Sequence, residues 1–454
     1  MTILLSKQAG HNRRATGMNE DTSRLLGLAG LAVTRVEDGP DGPVVYLVTA
    51  DDQARRCPHC GTRARRSKGW RVTRPRDLAV GGRHPRLVWR KHRWRCDESG
   101  CPRKSFTETV AQVPARKRLT LRLRTSAGAA IADGGRTIVQ SARDHHVSWP
   151  VAAAAFATHA AAVLPAQPDP VQVLGIDEIR RGRPKWVWDE TTGTWQTTVD
   201  RWHVGFVDLS GGQGLLGQVE GRNAAVVCDW LAERTQAWRD AVRFVAIDMC
   251  TIFKSAVRQA LPGAVLVADH FHIVQLANQT VTEIRRRVTV QVRGRRGRKG
   301  NREWELRNRL TRNASRMHGD HVADLEGELK DLPPRIGTPI LAAWNAKEDL
   351  LDLLALARTH PNREDIADLL FRFYHRCAQS GLPELERLAT TVETWWPEIL
   401  AFIHTGITNA GSEGTNRVIK TVARDAYGFR NPANQRLRTR CATTRRARGH
   451  LSPR

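Results

Sequence analysis

The chain has 454 residues, enough for two to four domains at ~100–200 residues each, and its 41% hydrophobic content supports real cores. Lys and Arg total 72 against 46 Asp and Glu, a formal net charge of +26. A field of that sign is an argument about partners, and nucleic acid is the ordinary partner of so basic a chain; a generally Arg-rich proteome is the plainer reading. No run of about 20 apolar residues is present, so no membrane span is expected. The start, "MTILLSKQAGHNRR", has too short an apolar stretch for a secretory signal, which points to the cytoplasm.

In chain order, residues 1–17 are polar, basic and without periodicity, and read as a flexible tail. A β and metal-binding module is expected over 18–112. "LLGLAGLAVTRVEDGPDGPVVYLVTA" reads as strands around a "DGPDG" turn. "CPHCG" then places Cys57 and Cys60 in a tight knuckle, and "RWRCDESGC" adds Cys96 and Cys101. Four thiolates in two close pairs are the ligands of one structural, four-coordinate Zn²⁺, with Gly61 permitting the turn. In a chain of this length without a signal, such pairs favour metal over disulfides. The spacer carries a strand-like "HPRLVWRKHRWR", and His59 is set aside because four cysteines suffice.

Residues 113–165 are rich in Ala and Leu. A helix near Thr137–Asp144, a turn through Val147, and a helix with Ser148 as N-cap and Pro150 in its first turn have the shape of a helix-turn-helix. A plain helical hairpin is the alternative. "LPAQPDP" (164–170) reads as a linker.

The period then changes. Strand-like runs at 171–177, 202–209, 214–221, 243–249 and 264–271, with amphipathic helices between the later ones, predict a mixed sheet with helices on its faces over 171–275. Residues 276–395 read as a helical insertion, and Leu385, Leu388, Val392, Trp395 and Ile399 fall on one helical face. Within it "RRRVTVQVRGRRGRKG" (285–300) has no acid; Arg295, Arg296, Arg298 and Lys299 are candidate phosphate contacts, against a solvated loop. The core resumes over 396–436, and 437–454 is an acid-free basic tail.

Asp177 closes "VLGID", Asp248 closes "FVAID" and Asp269 closes "VLVAD". Carboxylates gathered at the carboxyl edge of an α/β sheet stand where such folds place ligands. They repel one another unless a cation neutralises them, and hard oxygen ligands suit Mg²⁺ or Mn²⁺.

"CPHCG", "RDLAVGGR", "RWRC", "LGIDE", "EGRNAA", "AIDM", "VADHFHIVQLAN" and "SEGTNRVIKTVARDAYGFRN" occur in one order from about Leu25 to Arg440. In that order they resemble the ISL3 family of insertion-sequence transposases. The resemblance implies an RNase H-like α/β fold with a large helical insertion. It also implies that Asp177, Asp248 and Glu413 form a DDE triad holding two Mg²⁺ (or Mn²⁺) ions. It further implies double-stranded DNA partners, the element's terminal inverted repeats and target DNA, cut and joined by a nucleoid-associated dimer or higher oligomer. Asn416 would help orient the site, and Arg417, Lys420 and Arg424 would meet phosphates beside Glu413. His270 and His272 flank the sheet edge, as structural histidines or as contacts to DNA or the metal's surroundings. Against this stands Glu413 as a surface ion-pair partner of Arg417, and a non-catalytic DNA-binding regulator as the alternative function. A nuclease for RNA–DNA hybrids is a third, which the zinc and helix-turn-helix modules argue against. The stretch 180–200 departs from the pattern: an enlarged, Trp-bearing loop is expected in place of a tight hairpin.

Overall fold

The chain divides at the proline-rich stretch into two units, Met1–Leu164 and Pro165–Arg454. The computed structural model describes residues 20–199 and 201–451. The expected tail over 1–17 lies outside the described residues.

In the first unit, helix α1 (Glu20–Leu26) leads into strands β1 (Leu31–Gly39) and β2 (Gly42–Thr49). These pair as a hairpin that closes with Gly39 opposite Gly42, so the "DGPDG" turn lies where it was read. Strands β3 (Ser67–Thr73), β4 (Arg86–Arg95) and β5 (Ser105–Thr107) complete a sheet of order β1-β2-β4-β3, with β5 also on β4. Asp77 explains part of "RDLAVGGR". Its buried carboxylate accepts from Thr120 Oγ1 at 2.6 Å and from Arg122 Nε at 2.8 Å, which anchors helix α2 (Leu121–Ala132). Helices α3 (Ile138–Asp144) and α4 (Trp149–Val163) follow across the expected short turn. Thr137 caps α3 through Gln140 N–H, while Ser148, at the start of α4, makes no side-chain cap bond. Gly128 lets α2 and α4 touch: a Cβ there would lie 2.6 Å from Ala155 O.

The second unit is built on five strands: β6 (Val173–Arg180), then β9 (Trp202–Asp208), β10 (Leu215–Glu220), β11 (Phe244–Ile247) and β12 (Val265–Ala268), the numbers allowing for a hairpin between the first two. Their order is β10-β9-β6-β11-β12, antiparallel through β6 and parallel beyond it. Strand β6 is buried along most of its length, as a central strand covered on both faces must be. It does not end at Asp177. Ile179 is buried and Arg180 still pairs with Trp202, so the carboxylate sits inside the strand. The expected loop over 180–200 is instead an antiparallel ribbon, β7 (Lys185–Asp189) and β8 (Thr194–Val199), with Trp188 opposite Trp195. Aromatic and β-branched residues in "KWVWD" and "TWQTT" favour strands, and Gly193, at φ 62°, makes the turn. Helices α5 (Ala224–Ala232), α6 (Gln236–Ala241) and α7 (Thr251–Ala260) fill the connections.

Helix α8 (His270–Arg293) starts directly after β12, capped by Asp269 and ended by Gly294 in the left-handed region. It takes up the first half of the acid-free segment and crosses the expected boundary at 275/276. Short helices α9 (Arg302–Glu305) and α10 (Arg307–Leu310) precede α11 (Gly319–Lys330), α12 (Pro334–Ala355), α13 (Arg363–Gln379), α14 (Pro383–Thr394) and α15 (Trp396–Thr405). Ile273, Ala277, Val281, Ile284 and Val288 of α8 belong to one hydrophobic cluster that runs from Val171 of the sheet edge to Ile403 of α15. The helical block and the sheet thus share a core. The apolar face from Leu385 to Ile399 is buried as expected, but the helix breaks at Trp395, ahead of Pro397. Helix α16 (Ala410–Asp425) returns to the sheet. The expected basic tail is, up to Arg448, helix α17 (Pro432–Arg448): Asn431 caps it, and Arg438, Thr439, Cys441 and Thr443 are buried.

Candidate catalytic and zinc sites

Parallel pairing of β6 with β11 puts Ile176 level with Ile247. The residues that follow, Asp177 and Asp248, are therefore neighbours on adjacent strands. Asp177 is 8% exposed. Burial first, and the charge of Asp248 second, push its carboxyl up to about 7. Its Oδ1 accepts from Glu178 N–H at 2.7 Å, and its Oδ2 accepts from Asn416 Nδ2 at 2.7 Å. Asp248 Oδ1 accepts from Asn409 Nδ2 at 3.2 Å, and its Oδ2 lies 3.1 Å from His272 Nε2. That hydrogen bond is the main reason the imidazole is held above its ordinary pKa. Asp269 N–H donates to Ile247 O at 3.0 Å, which ties the ends of β11 and β12 together. Ligand atoms of Asp248, Asp269 and His272 all lie within 4.8 Å of one another.

Glu413 sits on α16 four residues after Asn409 and three before Asn416. Those two asparagines grip Asp248 and Asp177, so residues 409, 413 and 416 form the helix face turned to the acids. Among the described residues Glu413 makes no side-chain hydrogen bond or ion pair, including none to Arg417. It is not within the 4.8 Å cluster, and neither is Asp177. Close docking of α16 depends on Gly175: a Cβ there would collide with Ser412 Oγ and stand 3.0 Å from Asn409 Oδ1. Sequence reasoning missed Asn409. The signal was its position as the residue before a helix whose first turn is "AGSE", where an amide that does not cap the helix is free for another partner. The His270 ring stacks on Phe402 at 4.8 Å, with its Nδ1 3.4 Å from Asp269 Oδ1.

In the first unit Cys57, Cys60, Cys96 and Cys101 converge, their sulfurs within 4.8 Å of one another. Sγ separations of 3.9 Å for Cys57–Cys101 and 3.5 Å for Cys60–Cys96 bracket the ~3.8 Å edge of a tetrahedron with ~2.3 Å Zn–S bonds. Gly61, at φ 74°, turns the knuckle, and Cys57 N–H donates to Thr62 O. Hydrogen bonds from Thr62 draw the Cys60 thiol down to about 6, toward the thiolate that a metal requires. Ala64, Trp94 and Phe106 pack around the sulfurs. His59 is exposed and outside the cluster.

Residues 174–439, more than half of the chain, match the model of the ISL3 DDE transposases, described as transposase. The chain belongs to the ISL3 family of transposases. Residues 53–101 match the zinc finger of the transposases of IS204, IS1001, IS1096 and IS1165, which with the four converging thiols supports a structural zinc site. The transposase for insertion sequence element IS1001 of Bordetella parapertussis is 24% identical over 434 residues, 93% of this chain and 98% of that protein. A solved structure, the Drosophila P element transposase strand transfer complex, aligns at a TM-score of 0.35 and 9% identity over 71% of this chain and 90% of that one, too slight a likeness to carry an argument. No helix among the described residues is long and apolar enough to cross a membrane.

The basic candidates of this transposase fall in two places. Arg417, Lys420 and Arg424 are exposed on α16, continuing from Glu413 at helical spacing. Arg296, Arg298 and Lys299 lie exposed in the turn after α8, whereas the Arg295 guanidinium is engaged by Asn301 Oδ1 and Arg296 O, both at 3.2 Å.

Proposed function

We propose that this transposase binds the terminal inverted repeats of its insertion sequence as a dimer or higher oligomer in the nucleoid, and cuts and joins DNA at Asp177, Asp248 and Glu413. The sheet order, with two acids on its adjacent central strands and a third on the returning α16, is the arrangement expected of an RNase H-like core. One observation carries the reading. Asn409 and Asn416 bind both strand acids and hold Glu413 between them on one face of α16.

The donor set fits a hard divalent cation. Asp177 and Asp248 compete for charge when no cation lies between them, and Glu413 is an unpaired, half-buried carboxylate beside them. Asp177, Asp248 and Glu413 would hold Mg²⁺ or Mn²⁺, with Asp269 and His272 at the edge of the site. Bound there, such ions supply Lewis-acid polarisation of the scissile phosphate and a nucleophile at neutral pH. Asn409 and Asn416 each spend an amide donor on an aspartate, so each acid keeps one orientation. His272 Nε2 meets the second oxygen of Asp248 at 3.1 Å and helps fix that carboxylate. Arg417, Lys420 and Arg424 would take phosphates beside the site, and the α3–turn–α4 pair would read duplex DNA in the manner of a helix-turn-helix.

The deciding experiment is cleavage of duplex DNA carrying the element's own ends, with and without Mg²⁺. Strand cuts at the element end only when the ion is present are expected. Specific binding with no cleavage under any divalent ion would replace this reading with the non-catalytic regulator.

A further inference from the structure

Between the catalytic carboxylates and the basic turn, one face of α8 forms the floor of a cleft of about 1360 Å³. It begins at Phe271, beside His272, and reaches Arg296 and Trp304. A smaller cleft lined by Met249 and His272 shares Gln275 and Gln279 with it, so the two adjoin along α8, and His272 in turn lies against Asp248.

Its charge is unbalanced in a way that asks for an anion. Arg285 lines the cleft and is only 5% exposed, yet it forms no ion pair among the described residues. Glu303, the acid whose charge reaches it, is held in a bidentate pair by Arg293. Arg286 and Arg307 crowd the same guanidinium with like charge. The acid on the wall, Glu283, is bonded to Arg387 at 2.7 Å. Arg285 is buried along its length but lines the cleft without a carboxylate partner, and a phosphate in the cleft can pair with its guanidinium.

The remaining lining suits bases. Phe271 is 52% exposed at the catalytic end, and Trp304 at the far end carries the Arg307 guanidinium 3.6 Å from its ring centroid. Gln275, Asn278 and Gln279 present amides between them. An exposed ring at one end and an arginine stacked on an indole at the other, beside a cationic track, are features of a site for an unpaired strand, because paired bases hide their faces.

We infer that this cleft holds an unpaired DNA strand leading away from the catalytic carboxylates, with one phosphate bound by Arg285, Arg286 and Arg307. The inference rests on the proposed catalytic site for its direction. From His272 to Arg286 is fourteen residues of helix, about 21 Å at ~1.5 Å per residue. At ~3.4 Å per stacked nucleotide that places the bound phosphate within about six nucleotides of the cut.

The test is binding of a forked DNA probe, with one unpaired arm, against the same sequence fully paired. Wild type should prefer the fork by about tenfold. Arg286→Gln with Arg307→Gln, both positions accessible enough to tolerate the change, should abolish the preference. Arg285→Met tests the buried cation separately. A single neutral methylphosphonate within about six nucleotides of the fork should weaken wild type and leave the double variant unaffected. A folded double variant that keeps the preference, or an equal loss on fully paired DNA, overturns the inference. Since the readout is binding alone, wild-type protein that never cleaves would instead defeat the catalytic reading.

Discussion

Glu413 and His203 show opposite uses of a titratable side chain. Glu413 is unpaired beside two acids that α16 orients, so its substitution should remove a metal ligand and little else. Glu413→Gln is expected to lower cleavage by at least two to three orders of magnitude while leaving affinity for DNA ends unchanged or slightly raised. Near-normal cleavage by the folded variant would move the third acid elsewhere, with Asp269 first in line. His203 is fully buried on β9, and neither ring nitrogen has a hydrogen-bond partner. Burial holds its pKa down to about 4, below the ~6.5 of an unfolded chain. The unfolded state therefore binds the proton more readily, and the folded state's advantage is whole above pH 6.5. It shrinks as pH falls toward 4, by about 3 kcal/mol in all. His203→Gln should remove that component. Urea midpoints are expected to fall more steeply from pH 7 to pH 4 for wild type than for the variant; parallel curves would show the imidazole is not what titrates.

At the scale of elements, two small structures depend on single close contacts. Helix α16 reaches β6 because Gly175 leaves room for Ser412 and Asn409. Gly175→Ala should cost roughly 1–3 kcal/mol through overpacking, and should reduce cleavage more than Asn416→Ala, which leaves the helix seated. Thermal melting and cleavage measured on both variants would reveal the reverse order if docking of α16 does not govern the site. The cysteine module has a small apolar core of its own, Ala64, Trp94 and Phe106 around the sulfurs, so metal binding should supply much of its folding energy. Cys57→Ser is expected to lose one bound zinc per chain and to make residues 57–101 protease-sensitive. Freshly purified wild type without zinc would refute the assignment.

Across the whole molecule, +26 of net charge predicts steep salt dependence of DNA binding. The turn after α8 should account for part of it. Neutralising Arg296, Arg298 and Lys299 should flatten the slope of log K against log salt by about 0.9 per lost phosphate contact, whereas Arg295→Gln alone should change little because Asn301 already engages its guanidinium. An unchanged slope after the triple neutralisation would make that turn a solvated loop.

Local pattern alone determined much of this protein. Alternation and turn residues placed the β1–β2 hairpin around Pro40 and Asp41, Thr137 and Pro150 marked the starts of α3 and α4, and a C-x2-C pair followed by a C-x4-C pair selected the four thiols, because each is a matter of neighbours in sequence. Family-ordered motifs pointed to Asp177, Asp248 and Glu413. Tertiary structure decided the rest. Strand β6 passes through Asp177 because β9 pairs beyond it, residues 432–448 are helical because the sheet side offers a surface to bury them, and Trp-bearing residues 185–199 form a ribbon because two runs rich in aromatic and β-branched residues pair across Gly193. Asn409 acquires its role only where a residue 233 positions away, Ile176, and the neighbouring Asp248 come within reach of one amide. Such contacts are set by which strands lie side by side, and that is a property of the folded core, not of any stretch of sequence.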